Sequence, residues 1–128
     1  MDFAQNLFAA TLFIHNKDVS KSFYAQVFDK APVFEDENSV VFKFGSTMIN
    51  LLLIGEAPSL INPAPVSAAE TGSRFQFTIQ VPSVDEHADR LRSLGAELVN
   101  GPMDRPWGIR TLLIADPDGH LWEFAQDL

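Results

Sequence analysis

The sequence predicts an α+β fold in which the order strand, helix, strand, strand, strand occurs twice. Three observations carry this prediction: two similar runs of strand and helix patterns, an amphipathic helix near the start of each run, and turn signals between the strands. The first βαβββ module spans residues 7–54 and the second spans residues 73–128, and residues 55–72 form a long, proline-containing linker. We predict that residues 1–128 form a single domain.

The first module opens with the segment Leu7–Ile14, which is apolar, short and followed by polar residues, as is typical of a strand. Val19, Phe23 and Val27 then recur at helical spacing and predict one face of an amphipathic helix. Asn16 is placed to cap the N-terminus of this helix.

This helix is predicted to end at residues 29–32 (DKAP), because proline disfavours helical geometry in the residue before it. Three short strands follow, and the hairpin signal Gly45-Ser46 separates the last two of them. The predicted strands are Ala31–Phe34, Val40–Phe44 and Thr47–Ile54.

The second module opens with a strict alternation of apolar and polar residues over residues 75–81, which predicts a half-buried strand. Ser83 and Glu86 form a capping box at the start of the next helix, and Gly95 is placed to end it. The apolar positions of this helix predict a buried face of Val84, Ala88, Leu91 and Leu94.

Three strands complete the second module, and the last two are joined by the turn sequence Asp116-Pro117-Asp118-Gly119. The predicted strands are Glu97–Asn100, Ile109–Ala115 and His120–Gln126. Setting Ile14 against Val81 aligns the first strands of the two modules. Alternation then places one trio from each strand on the face opposite the helix: Ala9, Thr11 and Phe13 in the first, and Gln76, Thr78 and Gln80 in the second.

Composition narrows the classes of function. The chain carries 17 acidic and 9 basic residues, a formal net charge of −8, which disfavours nucleic-acid binding and favours cationic ligands. The absence of cysteine excludes disulfides, thiolate metal sites and cysteine nucleophiles. No apolar run approaches the length of a membrane span and the N-terminus lacks a signal-peptide pattern, so we expect a cytoplasmic protein without membrane contact.

Two motifs give the chain a resemblance to a known family. Ser20-Lys21-Ser22-Phe23-Tyr24 is similar to the family's S-x-x-F-Y pattern in the first helix, and Trp107-Gly108 precedes residues 116–124 (DPDGHLWEF). Together with the doubled βαβββ order, these motifs resemble the vicinal oxygen chelate superfamily, which includes glyoxalase I, extradiol dioxygenases, fosfomycin-resistance enzymes and bleomycin-resistance proteins. The resemblance implies that both modules form a cupped mixed sheet of the glyoxalase/bleomycin-resistance type.

Enzymes of that superfamily commonly hold a divalent metal through His and Glu ligands on four strands. Carried over onto this sequence, the four positions hold Ala9 or Thr11, Asn50, Gln76 and Glu123. Transition metals prefer imidazole, thiolate or several carboxylates, so these departures predict that the chain has no metal and no cofactor.

The histidines are not expected to replace the missing ligands. His87 is predicted on the exposed side of its helix, His120 at a hairpin turn, and His15 at the end of a strand.

Without a metal, the cup is expected to bind a small molecule. Trp107 lies between proline and glycine, so we expect it in a loop where it can stack on a ligand, whereas the facing of Arg110 is ambiguous. Alternation turns Glu123 away from the core, where the amides of Asn50 or Gln76, a water or a cationic ligand group are expected to meet its carboxylate. The candidate ligand-binding residues are Phe13, Met48, Asn50, Gln76, Thr78, Trp107, Arg110 and Glu123.

The function predicted from these observations is a metal-free small-molecule-binding protein, similar to bleomycin-resistance and glyoxalase-like proteins. It would sequester an antibiotic or an aromatic, cationic metabolite, and it would act as a homodimer. The alternative is a lyase, isomerase or dioxygenase of the vicinal oxygen chelate superfamily, either metal-dependent or metal-free with Glu123 as the catalytic acid or base. A structural or regulatory module is a further alternative.

Overall fold

The computed structural model describes residues 3–128. The described chain forms two compact units that divide between Ala68 and Ala69. Each unit contains one four-stranded mixed sheet, so the predicted α+β class and the doubled βαβββ order are confirmed. No helix within residues 3–128 is both long and apolar enough to span a membrane.

The first unit carries one helix against a mixed sheet in which β1 is parallel to β4 and the other neighbours are antiparallel, in the order β1-β4-β3-β2. Its elements are β1 (Ala9–Ile14), α1 (Lys17–Val27), β2 (Phe34–Glu35), β3 (Ser39–Phe44) and β4 (Thr47–Leu53). The predicted linker is partly helical, since it contains α2 (Ala57–Ile61).

The strand β2 lies later than the predicted strand Ala31–Phe34. Pro32 has no N–H to donate to a neighbouring strand, so pairing cannot begin there. The first backbone bond to β3 comes instead from the N–H of Val33, which donates to the carbonyl of Val41 at 2.8 Å.

The helix α1 begins as predicted, but its buried face is rotated. The Asn16 side chain accepts a hydrogen bond from the N–H of Val19 at 3.0 Å and caps the helix. Val19 itself is 49% exposed, whereas Ser20, Tyr24 and Val27 are buried. The prediction of Val19 in the buried face was therefore wrong, because the small Ser20 occupies the contact with the sheet.

The helix α1 ends directly before the predicted stop at residues 29–32, but Asp29 rather than Pro32 turns the chain. The helix ends at Val27, and Asp29 adopts a left-handed conformation with φ +51°. The N–H of Lys30 donates to the carbonyl of Ala25 at 3.1 Å, which closes the helix as a Schellman motif. Aspartate tolerates this conformation better than most residues, so the chain turns without glycine.

The second unit repeats the topology, with β5 parallel to β8 and the sheet order β5-β8-β7-β6. Its elements are β5 (Phe77–Gln80), α3 (Val84–Ser93), β6 (Leu98–Asp104), β7 (Ile109–Ala115) and β8 (Leu121–Asp127).

The helix α3 has both predicted ends. The Ser83 hydroxyl accepts a hydrogen bond from the N–H of Glu86 at 3.2 Å. Gly95 has φ +78° and donates to the carbonyl of Arg92 at 3.0 Å, so it terminates the helix. Leu94 is 42% exposed, which corrects its predicted burial, because the helix has already ended there. The remaining predicted positions are buried: Val84, Ala88 and Leu91.

The strand β6 extends beyond the predicted Glu97–Asn100 as far as Asp104. Its register with β7 shifts on both sides of Asn100, and these irregularities keep Gly101-Pro102 within the strand. Gly101 has φ +85°, and a Cβ there would lie 2.4 Å from the carbonyl oxygen of Thr111. Glycine is therefore required by both the conformation and the close approach of β7.

The turn between β7 and β8 forms as predicted. Asp116 is 5% exposed, and its side chain accepts hydrogen bonds from the N–H groups of Asp118 at 2.9 Å and His120 at 2.8 Å. Gly119 has φ +89°. The turn therefore fixes the register of the two strands, and with it the facing of Glu123.

Candidate functional site

The second sheet carries Glu123 on the side away from α3. Trp122 and Phe124 are each 2% exposed, and the Phe124 ring stacks on His87 of α3 at 4.9 Å. Leu113 of β7 lies directly opposite Glu123, so it shares the side of the carboxylate. We call this side the Glu123 face and define it by Thr78, Asn100, Thr111, Leu113, Glu123 and Ala125, which share it by strand register. The predicted facing of Glu123 is confirmed.

The carboxylate of Glu123 has a hydrogen-bond donor that was not predicted for it. The hydroxyl of Thr78 donates to Oε1 of Glu123 at 3.0 Å. The two residues are partners in the register of β5 and β8, so the bond follows from strand pairing. The predicted donors were the amides of Asn50 or Gln76, a water or a cationic ligand group, and the donor observed is the threonine that the register places beside the acid.

A second acceptor lies on the Glu123 face. Asn100 is the register partner of Leu113, and its side-chain oxygen is buried without a hydrogen-bond partner within residues 3–128. A buried amide oxygen without a donor costs free energy. Asn100 was missed because the sequence predicted it as the last residue of a strand that continues for four more residues, to Asp104.

A depression of about 400 Å³ lies at the carboxyl ends of β5 and β8. Gln80 and Ala125 line it and are register partners, so the depression adjoins the Glu123 face. The lining residues are Gln80, Val81, Pro82, Ala125, Gln126 and Asp127.

The first unit has a matching face around Asn50. Thr11 lies opposite Asn50 in the register, and the Asn50 amide donates to its hydroxyl at 3.5 Å. The side-chain oxygen of Asn50 is buried and has no hydrogen-bond partner in the described part of the chain. Phe13 and Met48 share this face by alternation. The pair Thr11 and Asn50 therefore corresponds in register to Thr78 and Glu123.

Trp107 lies in the turn between β6 and β7, as predicted, and is 67% exposed. The guanidinium carbon of Arg105 lies 6.0 Å from the centre of the Trp107 ring. The Nε of Arg105 donates to the hydroxyl of Thr111 at 2.9 Å, and Thr111 is 1% exposed. Arg105 thus approaches the Glu123 face, although nothing in the sequence distinguishes it from Arg110.

Arg110 lies on the opposite side of the sheet. Its Nε contacts Asp104 at 2.7 Å and its Nη1 contacts Asp85 at 2.9 Å. The hydrogen bond from Arg110 lowers the pKa of Asp104 and the same contact raises the pKa of Arg110. Arg110 therefore joins the first turn of α3 to β6, and the structure does not bring it together with Glu123.

Gln76 lies just before β5 and is exposed. It is two residues from Thr78, but it is outside the paired strand. Among the predicted ligand-binding residues of the second unit, the structure thus brings Thr78 and Glu123 into contact.

Comparisons with known proteins agree with this architecture. The family model described as the Glyoxalase/Bleomycin resistance protein/Dioxygenase superfamily matches residues 7–124. The chain belongs to this superfamily. It is 30% identical over 117 residues to the metallothiol transferase FosB of Shouchella clausii (strain KSM-K16), covering 88% of this chain and 74% of that protein.

Solved structures of the superfamily share the fold. A glyoxalase-related enzyme from Fulvimarina pelagi has a TM-score of 0.83 at 25% identity, covering 96% of this chain and 88% of that one. A glyoxalase/bleomycin resistance protein/dioxygenase from Nocardioides has a TM-score of 0.85 at 20% identity, covering 100% of this chain and 87% of that one.

The side chains at the superfamily's metal positions do not fit a divalent transition metal. In the first unit Ala9 offers no donor and Asn50 offers only a neutral amide. In the second unit Gln76 lies outside the strand and Glu123 is hydrogen-bonded to Thr78. A transition metal requires several imidazole or carboxylate ligands, and one carboxylate does not supply them. Within residues 3–128 no group of three or more His, Asp or Glu side chains is placed to hold a metal ion.

His87 is less exposed than predicted. Its ring stacks on Phe124, and its Nδ1 is buried without a hydrogen-bond partner among the described residues. Burial lowers the pKa of His87, Arg90 lowers it further and Glu86 opposes them. The imidazole therefore belongs to the contact between α3 and the sheet.

Proposed function

We propose that this chain is a metal-free protein that binds a small cationic or aromatic molecule on the Glu123 face. An antibiotic or an aromatic metabolite, sequestered without chemical change, is the class of ligand that we propose. The observation that carries the proposal is the Glu123 carboxylate, which lies half-buried beside Thr78 without the other ligands of a metal site.

The polar groups of this face favour a ligand that donates hydrogen bonds. Glu123 and Asn100 flank Leu113 in the register, and both present acceptor oxygens. The Asn100 oxygen is buried without a donor inside residues 3–128. A ligand ammonium or amide group would satisfy these acceptors, and the formal net charge of −8 favours a cation.

The exposed ring of Trp107 supports an aromatic component of the ligand. A tryptophan that is 67% exposed leaves a large apolar surface in water. Stacking of a planar ligand would bury part of this surface, and an exposed indole also attracts cations.

The experiment is a thermal-shift screen with aromatic cations, followed by calorimetric titration of the strongest binder. Glu123→Gln should keep the fold and weaken binding by about 1.5–3 kcal/mol, the contribution of a charge-assisted hydrogen bond. Glu97→Gln is the control, because Glu97 is an exposed glutamate in the same unit. Equal affinity of the parent and Glu123→Gln, with a large loss of stability in the variant, would show that Glu123 is only a structural residue.

The similarity to the metallothiol transferase FosB favours one alternative, a metal-dependent enzyme of the superfamily. Ala9 and Gln76 oppose it, because neither supplies a ligand that transition metals prefer. A metal-free lyase or isomerase with Glu123 as the acid or base is a second alternative. Turnover of a bound compound that Glu123→Gln abolishes would favour it over binding alone.

A further inference from the structure

The guanidinium of Arg105 is held in place but incompletely paired. Its Nε donates to Thr111 at 2.9 Å, and Trp107 lies 6.0 Å from the guanidinium carbon. In the described part of the chain, its two terminal nitrogens have no hydrogen-bond partner and no carboxylate contacts them. The Nε of the guanidinium is therefore fixed, and the two terminal nitrogens are available to bind a ligand.

This state contrasts with that of Arg110, five residues along the chain. Arg110 forms ion pairs with Asp104 and Asp85 on the other side of the sheet. The chain has 17 acidic and 9 basic residues, so carboxylates outnumber cations. An oriented guanidinium without a carboxylate in such a chain suits an external anion, because its planar fork matches a carboxylate in two parallel hydrogen bonds.

The strand register places Thr111, the residue that holds Arg105, near Glu123. Thr111, which holds Arg105, is two residues from Leu113, and Leu113 lies opposite Glu123. Thr111 and Glu123 are therefore diagonal neighbours, and such positions lie roughly 7–8 Å apart. A small ligand that carries both charges would reach the two side chains through charge-assisted hydrogen bonds of roughly 2.7–2.9 Å each.

We infer that the Glu123 face binds a zwitterionic, amino-acid-like ligand, whose ammonium group meets Glu123 and whose carboxylate meets Arg105. The inference rests on the proposed binding at Glu123 and extends it by assigning a second charged contact. Trp107 lies beside Arg105, so an aromatic side chain of the ligand would stack there.

The test uses three probes that share one phenyl ring: phenethylamine, 3-phenylpropionate and phenylalanine. Their dissociation constants are measured by NMR titration of the ¹⁵N-labelled protein. Phenylalanine should bind about tenfold tighter than phenethylamine, because it makes one more charge-assisted contact. Arg105→Gln should remove this preference and the binding of 3-phenylpropionate, and it should leave phenethylamine within about twofold of the parent.

Two further variants control for charge and stability. Arg110→Gln removes an equal charge from the other side of the sheet and should leave the preference for phenylalanine intact. Arg105→Lys keeps the charge but loses the planar fork, so it should retain part of the preference.

The outcomes separate the two proposals. Phenethylamine binding that depends on Glu123, with phenylalanine binding no tighter than phenethylamine and Arg105→Gln changing neither, would refute the zwitterionic ligand. The proposed function would then stand. If Glu123→Gln leaves phenethylamine binding unchanged, or if no probe binds, the proposed function fails and the inference fails with it.

Discussion

Glu123 and Asn50 occupy equivalent places in the two units, and each lies opposite a threonine of the parallel neighbour strand. The Thr78 hydroxyl donates to Glu123 at 3.0 Å, whereas the Asn50 amide donates to Thr11 at 3.5 Å. Asn50 is neutral, so it has no negative charge to match that of Glu123 at the equivalent position. This asymmetry explains why we expect an organic cation rather than a metal at Glu123.

Trp107 should report on ligand binding. It is 67% exposed, whereas Trp122 is 2% exposed beneath α3. Trp107→Phe should abolish most of the fluorescence change that phenethylamine produces, because Trp107 is the exposed indole. Phenethylamine does not absorb where tryptophan is excited, so the change comes from the protein. Trp122→Phe is the control. Loss of the signal in that variant would place the ligand on the side of the sheet that α3 covers and would contradict the proposal.

His87 should make the fold sensitive to acid. Its pKa in the folded protein is lowered from the ordinary value of 6.5, so the unfolded chain binds a proton more readily. The contribution of neutral His87 to stability is then complete above about pH 6.5 and is lost as the pH falls through the lower, folded pKa.

The measurement is the thermal midpoint of the parent and of His87→Leu between pH 8 and pH 5. The parent should lose more stability than the variant over this interval, because leucine cannot take up the proton. His15→Gln controls for the loss of an imidazole elsewhere. Parallel pH profiles for the parent and His87→Leu would contradict the assignment of this acid sensitivity to His87.

Helix ends and turns formed as predicted wherever a local sequence signal determines them. The capping serine of α3, its glycine stop and the Asp116 turn all formed as predicted, because each depends on residues close in sequence. The extension of β6 to Asp104 was not predicted, because Gly101-Pro102 usually ends a strand. Only the shifted register with β7 keeps these two residues within β6.

The side of the sheet on which Glu123 lies was predictable from the sequence, but its hydrogen-bond partner was not. Alternation alone turned Glu123 away from Trp122 and Phe124. Its contact with Thr78 depends on the register between strands that are more than forty residues apart. The different roles of Arg105 and Arg110 depend in the same way on the turn and the bulge of one hairpin, for which the sequence carries no separate signal.

Gly101 should be the most demanding glycine of the second sheet. Gly101→Ala places a Cβ 2.4 Å from the Thr111 carbonyl oxygen at φ +85°. Gly108 has φ +89° and nothing within 4 Å of such a Cβ, so Gly108→Ala measures the backbone strain alone.

Chemical denaturation should show a loss of about 1–2 kcal/mol for Gly108→Ala. Gly101→Ala should lose at least about 1 kcal/mol more, because β7 must move. Equal losses would mean that the close approach of β6 and β7 relaxes freely.

At the scale of the whole molecule, we propose that the chain forms a homodimer. The edge strand β2 and the residue before it expose Val33 (56%) and Phe34 (54%), and exposed apolar edges favour association. Light scattering at tens of micromolar should give twice the mass of one chain. Phe34→Glu should shift the mass toward that of one chain, whereas Leu60→Glu, at an exposed apolar residue outside the edge strand, should not. A parent of single-chain mass would refute the dimer.

The organisation of residues 1–128 as a single domain stays a prediction, and so does its cytoplasmic location. The membership of the superfamily is established for residues 7–124 and fixes the fold. It does not fix the chemistry, because one fold supports many activities and the side chains at the site decide among them.

The most direct test of the central claim is the metal content of the protein. Elemental analysis after purification without chelators, followed by calorimetric titration with Mn²⁺, Ni²⁺ and Zn²⁺, measures whether Glu123 belongs to a metal site. We predict far less than one metal ion per chain and no saturable binding, because Ala9, Asn50 and Gln76 supply no imidazole or carboxylate. One equivalent of metal per chain, lost in Glu123→Gln but retained in Glu97→Gln, would contradict the account.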